Sequence, residues 1–167
     1  SVTSTSTAIP EPMARAKVAG YVAAAAIAAA AVIGAHYEGK SNVAYADVGG
    51  IPTICYGHTH GVSASDVATD AQCEAWLRQD MGEAVEAVNR GIPGLSFGPL
   101  VAFTDAAYNA GPNIVCGSTL QRKALAGDIA GACNELPRWV HAGGQVQPGL
   151  VKRRAAEQAI CLGKPAP

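Results

Sequence analysis

Two carboxylates close together in the chain, Glu38 and Asp47, with the hydroxyl of Thr53 beyond them, could break a glycosidic bond. That reaction needs one carboxylic acid, in a partly apolar setting, to protonate the leaving oxygen. It needs a second carboxylate to activate water or to stabilise an oxocarbenium-like state. Two carboxylates on different elements can sit in different environments, and the environments split their roles. A Glu and an Asp at this separation occur in many proteins, so the spacing alone assigns nothing.

The local sequence predicts how these residues are placed. Val18 to Ala35 is an uncharged run, so Glu38 falls at the end of a predicted helix. Gly49-Gly50 is a turn signal beside Asp47. Ile51 to Tyr56 is β-branched and aromatic, which predicts a strand. A small hairpin carrying Asp47 and Thr53 would then face the helix end carrying Glu38. His58 and His60 with Cys55 suggest a metal, but two His and a Cys on one hairpin are poor ligand geometry, and no metal is expected. His58 reads better as a brace for the hairpin.

Beyond the hairpin, Thr69-x-x-Gln72 is a capping-box pattern. Cys73, Trp76, Leu77, Met81, Val85 and Val88 follow at helical spacing until Gly91 and Pro93. Phe97 to Ala110 predicts a helix of small residues suited to the middle of a bundle. Ser118-x-x-Gln121 caps another, closed by Gly127. Asp128 starts one that Pro137 interrupts. Pro148 or Gly149 opens the last, which Gly163 ends. Trp139 reads as core.

Composition narrows the function classes. Charged residues make up 15%, and about half of the residues are apolar, so the chain can build a core. Residues 1–119 hold 5 Lys/Arg against 10 Asp/Glu, net −5, and residues 120–167 hold 7 against 3, net +4. A basic end can attract an anionic polymer such as cell wall or can be a solvated helix face. The charge density is too low for a nucleic-acid binder. Arg138, Lys152, Arg153 and Arg154 could meet sugar or peptide carboxylates, or could pair internally.

Residues 1–12 read as a flexible Ser/Thr/Pro-rich lead, with Met13 next as a start or an internal residue. Arg15 and Lys17 then precede the eighteen uncharged residues 18–35, near the lower limit for a membrane span. Ten of these are Ala and two are Gly. Five Val and Ile residues contribute only about 1.5–3 kcal/mol to insertion, so the span is marginal. The segment fits a cleaved signal peptide, a buried Ala-rich helix, or an uncleaved signal-anchor that later leaves the membrane.

The string from Glu38 through Asp47 and Thr53 into Ile54-Cys55-Tyr56-Gly57-His58-Thr59 resembles the phage-type lysozymes of glycoside hydrolase family 24. Residues 102–111, Ser118-Thr119-Leu120, and the stretch from Arg138-Trp139 to Arg153-Arg154 extend the resemblance over about residues 36–163. It implies an α+β fold: a small antiparallel sheet in an N-terminal lobe (about 38–70), a linking helix (about 70–90) and a helical lobe (about 91–163). It implies hydrolysis of the β-1,4 bond of peptidoglycan without a cofactor, with Glu38 as general acid and Asp47 and Thr53 positioning and activating water. Inversion at the anomeric carbon is the expected outcome. Tyr45, His58, Asn109 and Arg138 are the candidate substrate contacts.

Residues 13–37 are similar to the anchors of signal-arrest-release endolysins of lambdoid phages. That implies an enzyme held inactive at the inner membrane through residues 18–35, then freed into the periplasm as a soluble monomer. For an exported chain the expected disulfides are Cys55–Cys73 and Cys133–Cys161, with Cys116 free. The rival readings are a lytic transglycosylase, a wall-binding protein with a dead active site, and an ordinary cleaved secreted lysozyme.

Overall fold

The computed structural model describes residues 11–165 and 167. Helix α1 (Glu11–Tyr37) is followed by strands β1 (Ser41–Ala46) and β2 (Pro52–Cys55), then α2 (Asp70–Gly91) and α3 (Phe97–Ala110). Short helices α4 (Thr119–Leu125) and α5 (Ile129–Cys133) come next, then strands β3 (His141–Ala142) and β4 (Gln145–Val146), and α6 (Pro148–Cys161). Residues 1–10 of the expected lead lie outside the described residues, and Glu11 and Pro12 already belong to α1.

β1 and β2 pair antiparallel, with Ser41 opposite Cys55 and Tyr45 opposite Thr53. A second hairpin, β3–β4, turns at Gly143-Gly144, both with positive φ. The sequence reading did not anticipate this hairpin, because each strand has only two residues. Asp128 does cap a helix, through Gly131 N–H, but α5 stops at Cys133 and a 3₁₀ turn over Leu136–Arg138 carries the Pro.

Helix α3 is buried from Pro99 to Ala107 and forms the axis of the helical lobe. Its small residues let α1, α2 and α6 approach it from several sides. Helix α2 starts on a complete capping box, with Thr69 and Gln72 exchanging hydrogen bonds, an arrangement worth about 1 kcal/mol. Its stripe of Cys73, Leu77, Met81, Val85 and Val88 is buried, in register with the sequence period.

Helix α1 docks on α2 and α3 mainly through small residues: its buried positions are Ala26, Ala30, Ala31 and Gly34, with Ile27 and Ile33 half-buried against the core beside them. Residues 11–25 are mostly exposed, including Val18 and Tyr21. The helix is long and apolar enough to cross a membrane. It therefore offers one set of residues to two environments.

Two disulfides staple the body, Cys55–Cys73 joining β2 to α2 and Cys133–Cys161 joining α5 to α6. Cys116 is free and exposed. Cys55 adopts φ 61°, a left-handed conformation costing a non-glycine residue roughly 1–2 kcal/mol, and the bond to Cys73 helps to hold it there. Replacing Cys133 and Cys161 by Ala removes a constraint spanning 28 residues. The expected loss is about 3–4 kcal/mol of unfolding free energy, read by urea denaturation against the parent chain. An unchanged midpoint would refute a stabilising role for this bridge.

Candidate active site

Glu38 is the first residue past α1, and its N–H donates to the Gly34 carbonyl at 2.8 Å. The helix thus fixes the backbone of the acid directly. A carboxylate at the negative end of a helix is unfavourably placed, and Arg153 of α6 offsets this by donating from Nη1 to Glu38 Oε1 at 2.6 Å. Asn109, at the end of α3, donates to the same oxygen at 3.4 Å. The Glu38 side chain keeps 26% of its surface exposed, enough to meet a ligand.

Arg153 is itself buried and gripped. Its Nε and Nη2 donate to the two oxygens of Asp105 at 2.8 and 2.7 Å, a bidentate pair. The rings of Tyr37 and Tyr108 lie 5.8 and 5.9 Å from its guanidinium carbon, within cation–π range. Burial works against its charge, but Asp105 and then Glu38 outweigh that, and its pKa is raised. Burial raises the Tyr108 hydroxyl as well, with Glu38 adding to it. That hydroxyl donates to the Tyr56 carbonyl and ties α3 to the hairpin.

The hairpin presents the other two residues. Asp47 Oδ1 accepts from the N–H groups of Gly49 and Ile51, both at 2.8 Å, the side-chain turn that Asp favours. Gly50, at φ 77°, completes the reversal. Thr53 Oγ1 donates to the Ile51 carbonyl at 2.9 Å, and Thr53 is buried. One residue, Ile51, therefore sets both Asp47 and Thr53.

The root of the hairpin is pinned to the start of α2. Asn42 Nδ2 donates to Ala68 O and Asp70 Oδ1, and Lys40 reaches the same carboxylate at 2.7 Å. Only the short segment from Glu38 to Lys40 links this pinned hairpin to α1.

The remaining candidates divide. Tyr45 is exposed on β1 opposite Thr53. Asn109 and exposed Arg138 line a hollow of about 470 Å³ with Trp139, His141 and Leu150. A second hollow of about 470 Å³, lined by Gly57, Asp80 and Tyr108, lies past the last turn of α3. His58 is different: it is buried, pairs through Nδ1 with Asp80 at 2.9 Å and stacks on Trp76. It braces the hairpin against α2 and does not line the cleft. Trp139 is half-buried against the core. A further hollow of about 670 Å³ lies under the exposed half of α1, away from Glu38.

Three residues at this site were not singled out from sequence: Asp105, Glu157 and Gly34. Arg153 and Arg154, candidates for ligand contact or internal pairing, are both interior: Arg153 is ion-paired with Asp105, and Arg154 has its Nε 2.9 Å from Glu157. The legible signal was Arg-Arg-x-x-Glu, which puts Glu157 on the arginine face of α6. Gly34 was legible only as a small residue one turn before Glu38.

Gly34 sets the approach of α1. A Cβ added there would meet Met81 Cε at 2.6 Å, Leu77 Cδ1 at 3.5 Å and Asp105 Oδ1 at 3.7 Å. The first contact is the end of a flexible side chain and can give; a larger side chain meets Leu77 and Asp105 as well. Gly34→Ala is expected to cost about 1 kcal/mol and Gly34→Leu about 3 kcal/mol, compared by thermal unfolding. A Leu variant as stable as the parent would show that α1 does not pack this closely.

The family model for phage lysozyme matches residues 35–157. A SAR-endolysin of Enterobacteria phage PA-2 is 37% identical over 162 residues, covering 90% of this chain and 96% of its own. The active form of the P1 phage endolysin Lyz superposes with a TM-score of 0.74 at 26% identity, over 81% of this chain and 83% of that one. The secreted inactive form of the same endolysin reaches 0.52 at 26% identity, over 62% and 75%. The chain belongs to the phage lysozyme family, as an endolysin: a glycoside hydrolase that degrades the peptidoglycan of a bacterial host.

Proposed function

We propose that the enzyme hydrolyses the β-1,4 bond from N-acetylmuramic acid to N-acetylglucosamine, and that α1 controls when it does so. Glu38 gives its proton to the leaving glycosidic oxygen. Asp47 and Thr53 position and activate the water that attacks the anomeric carbon. Tyr45, Asn109 and Arg138 contact the glycan from the two walls of the cleft. Before release, residues 18–35 hold the chain at the host inner membrane; afterwards it acts as a monomer in the periplasm.

One observation carries this reading. The residues that dock α1, Ala26 to Gly34, lie inside the run that would occupy the bilayer, and Glu38 follows directly. The same residues cannot contact lipid and α3 at once. While the run is in the membrane, Glu38 is therefore kept from Arg153. Docking brings the acid to its partner. The better superposition on the active than on the inactive form of the P1 endolysin supports the docked state as the working one.

The test is turbidity loss of outer-membrane-permeabilised Gram-negative cells. The intact chain is expected to lyse them, and Glu38→Gln to be at least about a hundredfold slower. Equal lysis by both would remove Glu38 from the mechanism. For the anchor, the chain in energised inner-membrane vesicles is expected in the membrane fraction and, after an uncoupler, in the supernatant. A chain soluble from the outset would refute the hold.

A further inference from the structure

Behind Glu38 lies a buried ionic cluster larger than one acid requires. Asp105, Arg153, Arg154 and Glu157 each expose 2% or less of their side chains. With Glu38 docked, three carboxyl groups share two guanidiniums. Glu157 is common to both paths that reach Glu38. On one path its Oε1 lies 3.7 Å from Arg153 Nε, and Arg153 holds Glu38. On the other, its Oε2 lies 2.9 Å from Arg154 Nε; Arg154 donates to Asn109 Oδ1, and Asn109 donates to Glu38.

The hydrogen bonding separates the carboxyl groups. Asp105 accepts two aligned bonds from Arg153. Neither oxygen of Glu157 accepts one, and Arg154 Nε, 2.9 Å from its Oε2, and Nη1 likewise find no hydrogen-bond partner among the described residues. An ionised carboxylate in so dry a place costs several kcal/mol unless donors converge on it, whereas a neutral carboxylic acid buries no net charge and needs an acceptor for one O–H only. The charged groups facing Glu157 are Arg153 and Arg154 on its own helix and Asp105 on α3. Burial, with Asp105 beside it, pushes Glu157 well above the ordinary carboxylate range, and the two arginines do not reverse this.

We propose that Glu157 is a positioning residue, held as a neutral carboxylic acid, that sets both arginines behind Glu38 without adding a negative charge to the cluster. An ionised Glu157 would put a second buried negative charge beside Asp105. This proposal rests on the reading of Glu38 as the general acid.

The test compares Glu157→Gln with Glu157→Ala and reads the Glu157 carboxyl directly. Gln keeps the shape and neutrality of the acid. It should retain kcat within about twofold, and the alkaline limb of the pH profile should stay in place. Ala should lose at least about tenfold in kcat at an unchanged KM, as the arginines and Glu38 drift from their productive geometry. Carboxyl ¹³C resonances, assigned by their loss in Glu157→Gln, should show Glu157 protonated at neutral pH. Three results would each overturn the proposal: a charged Glu157 carboxyl at neutral pH, an alkaline limb moved to lower pH in the Gln variant, or an Ala variant with full kcat. Should Glu157→Ala not fold, the Gln profile and the resonance still decide. The resonance reads the same in a Glu38→Gln background, so failure of the Glu38 assignment is told apart from failure of this one.

Discussion

The approach of α1 to α2 and α3 governs the rest of the molecule. The buried positions of α1 are three alanines and one glycine, flanked by half-buried Ile27 and Ile33. At about 0.8 kcal/mol per buried methyl-sized group, three Ala contribute roughly 2–3 kcal/mol. The five Val and Ile of the same run contribute a similar amount to membrane insertion, about 1.5–3 kcal/mol. Larger residues would have tipped this balance either way: Leu would favour lipid and would clash at Gly34. The Ala/Gly composition, which makes a poor span, also makes a close but shallow helix contact.

The second constraint is electrostatic. Arg153 is paired twice with Asp105, so its charge is already matched and its remaining donor serves mainly to aim Glu38. Two of the basic residues that made the C-terminal stretch look like a surface for anionic polymers, Arg153 and Arg154, are interior. The exposed field is correspondingly weaker, and Arg138 remains as an exposed arginine beside the cleft.

The sequence was legible where local chemistry decides structure. The capping box at Thr69 and Gln72, the period of α2, the Gly49-Gly50 turn and the β-branched run ending in Cys55 each predict their element from nearest neighbours. The apolar run was equally legible as a helix, but whether it lay in lipid or on protein was not, because Ala suits both. His58 was legible as a brace for the hairpin, but its partner Asp80 was not, being remote in sequence. The Glu38–Arg153–Asp105 group was hidden for the same reason: its members come from the end of α1, from α3 and from α6, and no period links them. The β3–β4 hairpin escaped because two-residue strands leave no alternation to read.

Both disulfides close within the body, and neither touches α1. With Asn42 and Lys40 pinned to the start of α2, the hairpin, α2 and the helical lobe are held together independently of the helix. Helix α1 then behaves as a ligand on a very short leash. A contact of only a few kcal/mol between separate molecules corresponds to a dissociation constant of about millimolar or weaker, too weak to matter. A leash of a few residues supplies millimolar or higher effective concentration, and the same weak contact becomes decisive. Severing the chain near Gly39 would therefore disable the enzyme even with every side chain present, because the helix would no longer find its groove.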